Sequence, residues 1–182
     1  MGGALGGIGL LSFVVAGCEK KLTPAQAKAE KVPFRTLTAF EANVLEALGE
    51  ILLPKSAEAG LAQYIDQQLS GPSSDSMLML KYLGVAPPFT GFYRTGLAGV
   101  ESAARAAYGK SLTELDAQQG AALVSSMASG GEVKGWSGPP AGLFYFTLRS
   151  DAIDVVYGTP QGFEALEVPY MPHIMPASRW GE

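Results

Sequence analysis

From residue 36 onward the chain repeats one grammar: a capping residue, apolar positions at helical spacing, then Gly or Pro. In residues 36–54, TLTAFEANVLEALGEILLP, Thr38 and Glu41 have capping-box spacing, a hydroxyl for free amides and a carboxylate reaching back. Phe40, Val44, Leu45, Leu48, Ile51 and Leu52 follow with helical period, and Pro54 stops the run. The next segment, SAEAGLAQYIDQQLSGP, puts Leu61, Tyr64, Ile65, Gln68 and Leu69 on one face and ends at Gly71-Pro72. SDSMLMLKYLG predicts a short helix opened by Ser74 or Asp75 and closed by Gly84. A longer helix is predicted from about Thr90 to Tyr108, its buried stripe running through Tyr93, Leu97, Val100, Ala104 and then Ala107 or Tyr108. Gly96 and Gly99 read there as points of close helix–helix approach. Asp116 and Gln119 cap a further helix with Ala122, Leu123 and Met127 inward, ended by Gly130-Gly131. Residues 131–139 read as a loop. The last strong helix runs from about Pro140 to Tyr157, with Phe144, Leu148, Ile153 and Val156 on or near one face.

Residues 159–182, TPQGFEALEVPYMPHIMPASRWGE, differ. Four prolines among these residues exclude a regular helix or a central strand. Yet the segment holds Phe163, Leu166, Val168, Tyr170, Met171, Ile174, Met175 and Trp180, which a solvated tail does not need. It reads as a wrap over the helices or against another chain. No run sustains strand alternation. The expected fold is therefore all-α: a compact bundle of about five to six short helices with an irregular Pro-rich C-terminal wrapping segment.

The first 35 residues follow other rules. Residues 4–17, ALGGIGLLSFVVAG, carry no charge and have the size and composition of a signal-peptide apolar region, short for a membrane span. They end at the single cysteine of the chain, in VAGC, Val15 to Cys18. This looks like a bacterial lipobox, which makes Cys18 a lipidation site and, after cleavage, the first residue of the mature chain. The competing reading is a buried N-terminal helix in which Cys18 packs as a small hydrophobe. A signal peptide opens on a basic region, and residues 1–7 hold no Lys or Arg. That leads to the expectation of further residues ahead of Met1, a twin-arginine motif among the options. Residues 18–35, rich in Lys and interrupted by Pro, read as a tether, with a helix over PAQAKAEK started by Pro24 as the alternative. The expected organisation is 1–17 signal peptide, 18–35 tether and 36–182 helical domain.

Composition narrows the chemistry. Hydrophobic residues make up 47% of the chain, enough for a real core. A net charge of −4 argues against nucleic acid as a partner, because such binding rests on cations neutralising phosphates. One Cys and one His, Cys18 and His173, cannot complete a zinc site, an iron–sulfur site or a c-type haem attachment. The Gly-rich GGALGGIG has no strand before it and is discounted as a dinucleotide fingerprint. Glu41, Glu46 and Glu50 at helical spacing read as a solvated face. His173, between Pro172 and Ile174, reads as a packed residue, with a place at a partner's active-site mouth as the alternative. FYRTGLAGVE and FYFTLRSD mix aromatics with Arg94 and Arg149, and read as core packing with Arg on the rim, or else as a ligand site.

Four segments together carry a resemblance: LTAFEANVLEALGEILLP, AGLAQYIDQQLSGP, YRTGLAGVESAARAAYGKSLTELDAQQGAAL and FYFTLRSDAIDVVYGTPQGF. They resemble the gluconate 2-dehydrogenase subunit 3 family over about residues 36 to 180. The resemblance implies a non-catalytic small subunit that pairs with a large FAD-dependent dehydrogenase of the glucose–methanol–choline (GMC) type acting on sugars, sugar acids or glycosides. It implies that FAD sits in the partner and not in this chain, that a cytochrome c can take the electrons, and that the small subunit carries the pair through export. Joined to the lipobox, it places the chain on the periplasmic side of a bacterial membrane, held by lipid on Cys18. Many members have DP.YGGN after the last helix. This chain has YGTPQGF, Tyr157 to Phe163, so ligand contacts there do not carry over. The partner-interface candidates are Tyr93, Arg94, Phe144, Arg149, Phe163, Tyr170, Met171, His173 and Trp180. The alternative is a free-standing envelope lipoprotein whose aromatics around Tyr93 and Phe144 line a ligand pocket.

Overall fold

The computed structural model describes residues 9–15 and 17–168. A hairpin of β1 (Leu11–Val15) and β2 (Cys18–Leu22) comes first, followed by α1 (Pro24–Ala29), α2 (Ala39–Leu52), α3 (Leu61–Ser70) and α4 (Met79–Tyr82). Then come α5 (Thr90–Tyr108), α6 (Ala117–Ala128), α7 (Ala141–Tyr157) and α8 (Pro160–Ala165). The fold is mainly helical, as expected, but it has eight α-helices among the described residues, not five to six, and one two-stranded antiparallel sheet.

The hairpin differs most from the expected leader, and α1 takes the helical alternative read for the tether, started by Pro24. Leu11 pairs with Leu22 and Val15 with Cys18, and Gly17 turns the chain at φ +81°. Phe13 and Leu22 point inward and bury against Ala27 and Val32. Thr23 and Gln26 cap α1 reciprocally, with Pro24 in its first turn. A Lys28–Glu46 ion pair ties α1 to α2. The Lys-rich composition hid a short apolar face made by Leu22, Ala27 and Val32, and that face finds cover within the chain.

The main core is formed by α2, α3, α5, α6 and α7, with Tyr64, Tyr93 and Phe144 its largest fully buried side chains. Capping held where the spacing predicted it, at Thr38–Glu41 and Asp116–Gln119. Some facing positions moved. Phe40 sits in the first turn of α2 and is 58% exposed. Ala122 is exposed, and Gly120 faces inward instead, against Ile51. On α7 the inward positions after Leu148 are Asp151, Ala152 and Val155, while Ile153 and Val156 are half-buried. Gly96 lies under the Phe144 ring of α7, the close helix approach expected of it. Gly99 instead meets the loop at Trp136 and Ser137. The start of the C-terminal stretch is helical, because Thr159 caps α8 and Pro160 occupies its first position, where no amide is needed. The wrap expected of residues 169–182 lies outside the described residues.

Asp66 on α3 organises the entry to α2. Its buried carboxylate accepts backbone N–H groups from Arg35 (2.9 Å), Thr36 (2.8 Å) and Leu37 (2.8 Å). Asp66→Asn keeps the oxygen that serves Thr36 and Leu37 but sets an amide NH₂ against the Arg35 N–H. The variant is expected to lose about 2 kcal/mol of stability. Urea unfolding checks this, and an unchanged midpoint would refute the role.

Candidate interaction surface

Helix α7 carries the two most unusual groups of side chains, one on each face. Inward, Asp151 is fully buried and accepts the Tyr93 hydroxyl at 2.5 Å and the Met79 N–H at 2.8 Å. The second bond satisfies an amide at the start of α4 that has no partner within its own helix. Burial pushes the Asp151 carboxyl up to about 7, against the pull of its two hydrogen bonds and with a smaller push from Asp154. Tyr93 is raised well above the usual phenol range by burial and by Asp151, and Tyr64 is raised for the same reasons. Asp154 is also raised by partial burial. This cluster ties α7 to α5 and α4 from within the core, where no substrate reaches it.

Outward, Phe146, Arg149, Ser150, Ile153 and Tyr157 recur at three- and four-residue steps and form one stripe along α7. Phe146 is 46% exposed. Ser150 donates its hydroxyl to the Phe146 carbonyl at 2.9 Å, so its polar group is satisfied within the helix. Arg149 is exposed and makes no ion pair among the described residues. From Phe146 to Tyr157 the stripe spans roughly 16 Å at helical rise. Open clefts flank it. One, of about 400 Å³, is lined by Tyr157, Val156, Pro54, Lys55, residues of α8 and the following Leu166. The other, of about 540 Å³, is lined by Gly142, Leu143, Trp136 and the Gly130–Gly131 turn. Leu166 and Val168 continue the apolar surface beyond the first cleft, exposed at 50% and 48%. A helix apolar on both faces is expected where a second body covers it. An aromatic and an arginine exposed among the described residues match the composition of interface centres.

The candidate residues read from the sequence divide accordingly. Tyr93 and Phe144 have no exposed area and are core residues, which corrects their assignment to an interface or to a ligand pocket. Phe144 is enclosed by Phe92, Tyr93 and Trp136, with ring centroids at 5.7, 6.5 and 6.0 Å. Arg94 is exposed and tied to its own chain, donating to the Thr36 carbonyl at 2.5 Å and pairing with Glu41 at 3.2 Å. Arg149 lies on the outer stripe, and Phe163 is half-buried on α8. Tyr170, Met171, His173 and Trp180 lie outside the described residues. Cys18 is exposed at the start of β2. Phe146 was not singled out from the sequence, although its spacing to Ile153 and Tyr157 was available there. Among the described residues no group of three or more His, Cys, Asp or Glu could hold a metal ion, and no helix is long and apolar enough to cross a membrane.

No curated protein and no solved structure matches the chain. The family model described as gluconate 2-dehydrogenase subunit 3 matches residues 39–176, well over half of the chain, and covers α2 to α8 with both the inner cluster and the outer stripe of α7. On that match the chain belongs to the gluconate 2-dehydrogenase subunit 3 family.

Proposed function

We propose that this chain is the non-catalytic small subunit of a periplasmic sugar-oxidising complex, binding a large FAD-dependent GMC-type dehydrogenase through the outer face of α7. Family membership implies the coarser part, an accessory subunit of a dehydrogenase complex associated with a larger subunit. The observation that carries the finer part is the Phe146–Tyr157 stripe with Arg149, which makes no ion pair among the described residues, on a helix whose other face is already committed to the core. FAD belongs to the large subunit in this reading, and a cytochrome c serves as electron acceptor. Lipid on Cys18 holds the pair at the membrane, and the small subunit accompanies its partner through export. The exposure of Cys18 supports access to its thiol.

The test is co-purification from solubilised membranes with a tag on the C-terminus, read by flavin absorbance and mass spectrometry. The wild-type chain is expected to bring down a flavoprotein. Phe146→Asp leaves the inner face of α7 untouched and is expected to change folding stability by no more than about 0.5 kcal/mol. It replaces an apolar ring of the proposed interface with a carboxylate that also offers Arg149 a partner within the helix, so retention of the flavoprotein should fall roughly thirtyfold, the effect of losing a hot-spot residue. Full retention by a normally folded variant would rule out this face. A colourless wild-type preparation would rule out the complex.

A further inference from the structure

The N-terminal hairpin raises a conflict with lipidation that its geometry resolves. This inference rests on the lipid-anchor reading of Cys18. In that reading the Cys18 sulfur takes a diacylglyceryl group from a phospholipid, forming a thioether while the phosphate headgroup leaves and the thiol proton is lost. Water then hydrolyses the Gly17–Cys18 peptide bond, leaving a carboxylate on Gly17 and an amine on Cys18. The cut removes the whole of β1, Leu11–Val15.

We propose that β1 is a removable strand: once the chain is cut ahead of Cys18, β2 leaves the fold and becomes a five-residue leash, while α1 stays docked. The contacts of each piece decide its fate. Every ladder hydrogen bond of β2 goes to β1, because the sheet has only these two strands. Cys18, Glu19, Lys20 and Lys21 are exposed, and only Leu22 is buried, in the cluster of Phe13 of β1, Ala27 and Val32. Lys21 reaches Ser12 of β1, and the Lys20–Glu30 pair at 3.0 Å is an exposed one that contributes little. Without β1 the strand keeps no ladder partner and, at its last residue alone, the contact of Leu22 with Ala27 and Val32, and even a complete hairpin is marginal by itself.

α1 is held differently. It packs on α3, and its Ala27 is fully buried in a cluster with Val32, Leu22 and Phe13 of β1. Gly60 presses against the Pro24 carbonyl so closely that a side chain would not fit between them. Lys28 pairs with Glu46 of α2, and the Thr23–Gln26 capping box is internal to α1. Of these contacts only the cover of Ala27 by Phe13 involves β1, and the α3 packing, the Gly60 approach, the ion pair and the capping box remain without it. The leash therefore ends at Thr23 and not at residue 35, and its span when extended is about 17 Å. That keeps the α1–α3 side close to the lipid headgroups. The same geometry makes the docked strand and a membrane-inserted leader mutually exclusive, since Phe13 cannot occupy both places.

The experiment compares hydrogen exchange, read by mass spectrometry, in the full chain carrying Cys18→Ser and in wild-type protein taken from membranes. The serine variant cannot be acylated and retains residues 1–17. Intact mass should show the wild-type chain beginning at a lipidated Cys18. Residues 18–22 are then expected to exchange at least about tenfold faster in the wild type than in the variant, with residues 23–32 equally protected in both. Equal protection of 18–22 in the cut chain would overturn the proposal. So would a joint loss of protection over 18–32, which would restore the longer tether. An uncut, lipid-free wild-type mass would overturn the anchor reading and with it the cleavage step. In that event Phe13→Asp in the Cys18→Ser chain still tests the hairpin: 18–22 should lose protection while 23–32 keeps it, and retention in both segments refutes the dependence of β2 on β1.

Discussion

Phe144→Ala is expected to lower the folding stability by about 4 kcal/mol, the upper range for loss of a buried aromatic. The Phe144 ring is fully buried at the crossing of α7 and α5, with Phe92, Tyr93 and Trp136 around it. Its removal forfeits the transfer of the ring from water and leaves a cavity that these three packed neighbours close only in part. The helices cross closely because Gly96 offers no side chain under the ring, and a methyl group there would overlap it. Gly96→Ala is therefore destabilising in the wild type, despite the higher helix propensity of alanine. In the Phe144→Ala background the same methyl enters vacated space. The double variant is expected to be more stable than the sum of the single effects by about 1–2 kcal/mol. Urea or thermal unfolding of the four proteins gives the cycle. Additive effects would mean that the two residues do not share this space.

The second large effect is a pH dependence. The Asp151 carboxyl is raised from 3.8 to about 7 in the fold, chiefly by burial. The folded state therefore favours the protonated form more than the unfolded state does. The stabilisation is fully present below pH 3.8, declines as pH rises towards 7, and levels off above it. The whole decline is on the order of 4 kcal/mol. The groups facing Asp151 do not reverse the sign. The Tyr93 and Tyr64 phenols, both raised, stay neutral throughout this window, and Asp154, also raised, adds to the penalty on the ionised form. Asp151→Asn keeps an acceptor for the Met79 N–H and cannot ionise. Its stability is expected to be nearly flat over the window and to match or exceed the wild type at pH 8. Unfolding curves at several pH values check this. Parallel profiles for wild type and variant would show that Asp151 does not titrate here.

Much of the helical frame is legible in the sequence because its signals are local. Thr38–Glu41 and Asp116–Gln119 satisfy amides three residues away, so spacing alone identifies both helix starts. The bounds of α5 and α7 follow from apolar period and from Gly and Pro stops, and the expected ends agree with the structure to within a residue. The family was also legible, because the aromatic, Gly and Arg positions of YRTGLAGVE and FYFTLRSD are unusual in combination.

Other features depend on what lies across the fold. Nothing near Asp66 in the chain announces that three amides from residues 35–37 converge on it. Nothing near Asp151 announces a phenol from α5 and an amide from α4. Phe144 and Phe146 are equivalent by composition and two positions apart, yet one fills the core and the other faces out. The sequence by itself determined the longer helices α2, α3, α5, α6 and α7, the caps of α2 and α6, and the family, through interactions between residues three or four apart. Only the tertiary structure decided which face of α7 is buried, which carboxylates are ties and that Leu11–Leu22 closes as a hairpin, because burial and charge at a residue depend on neighbours that the chain brings from far away.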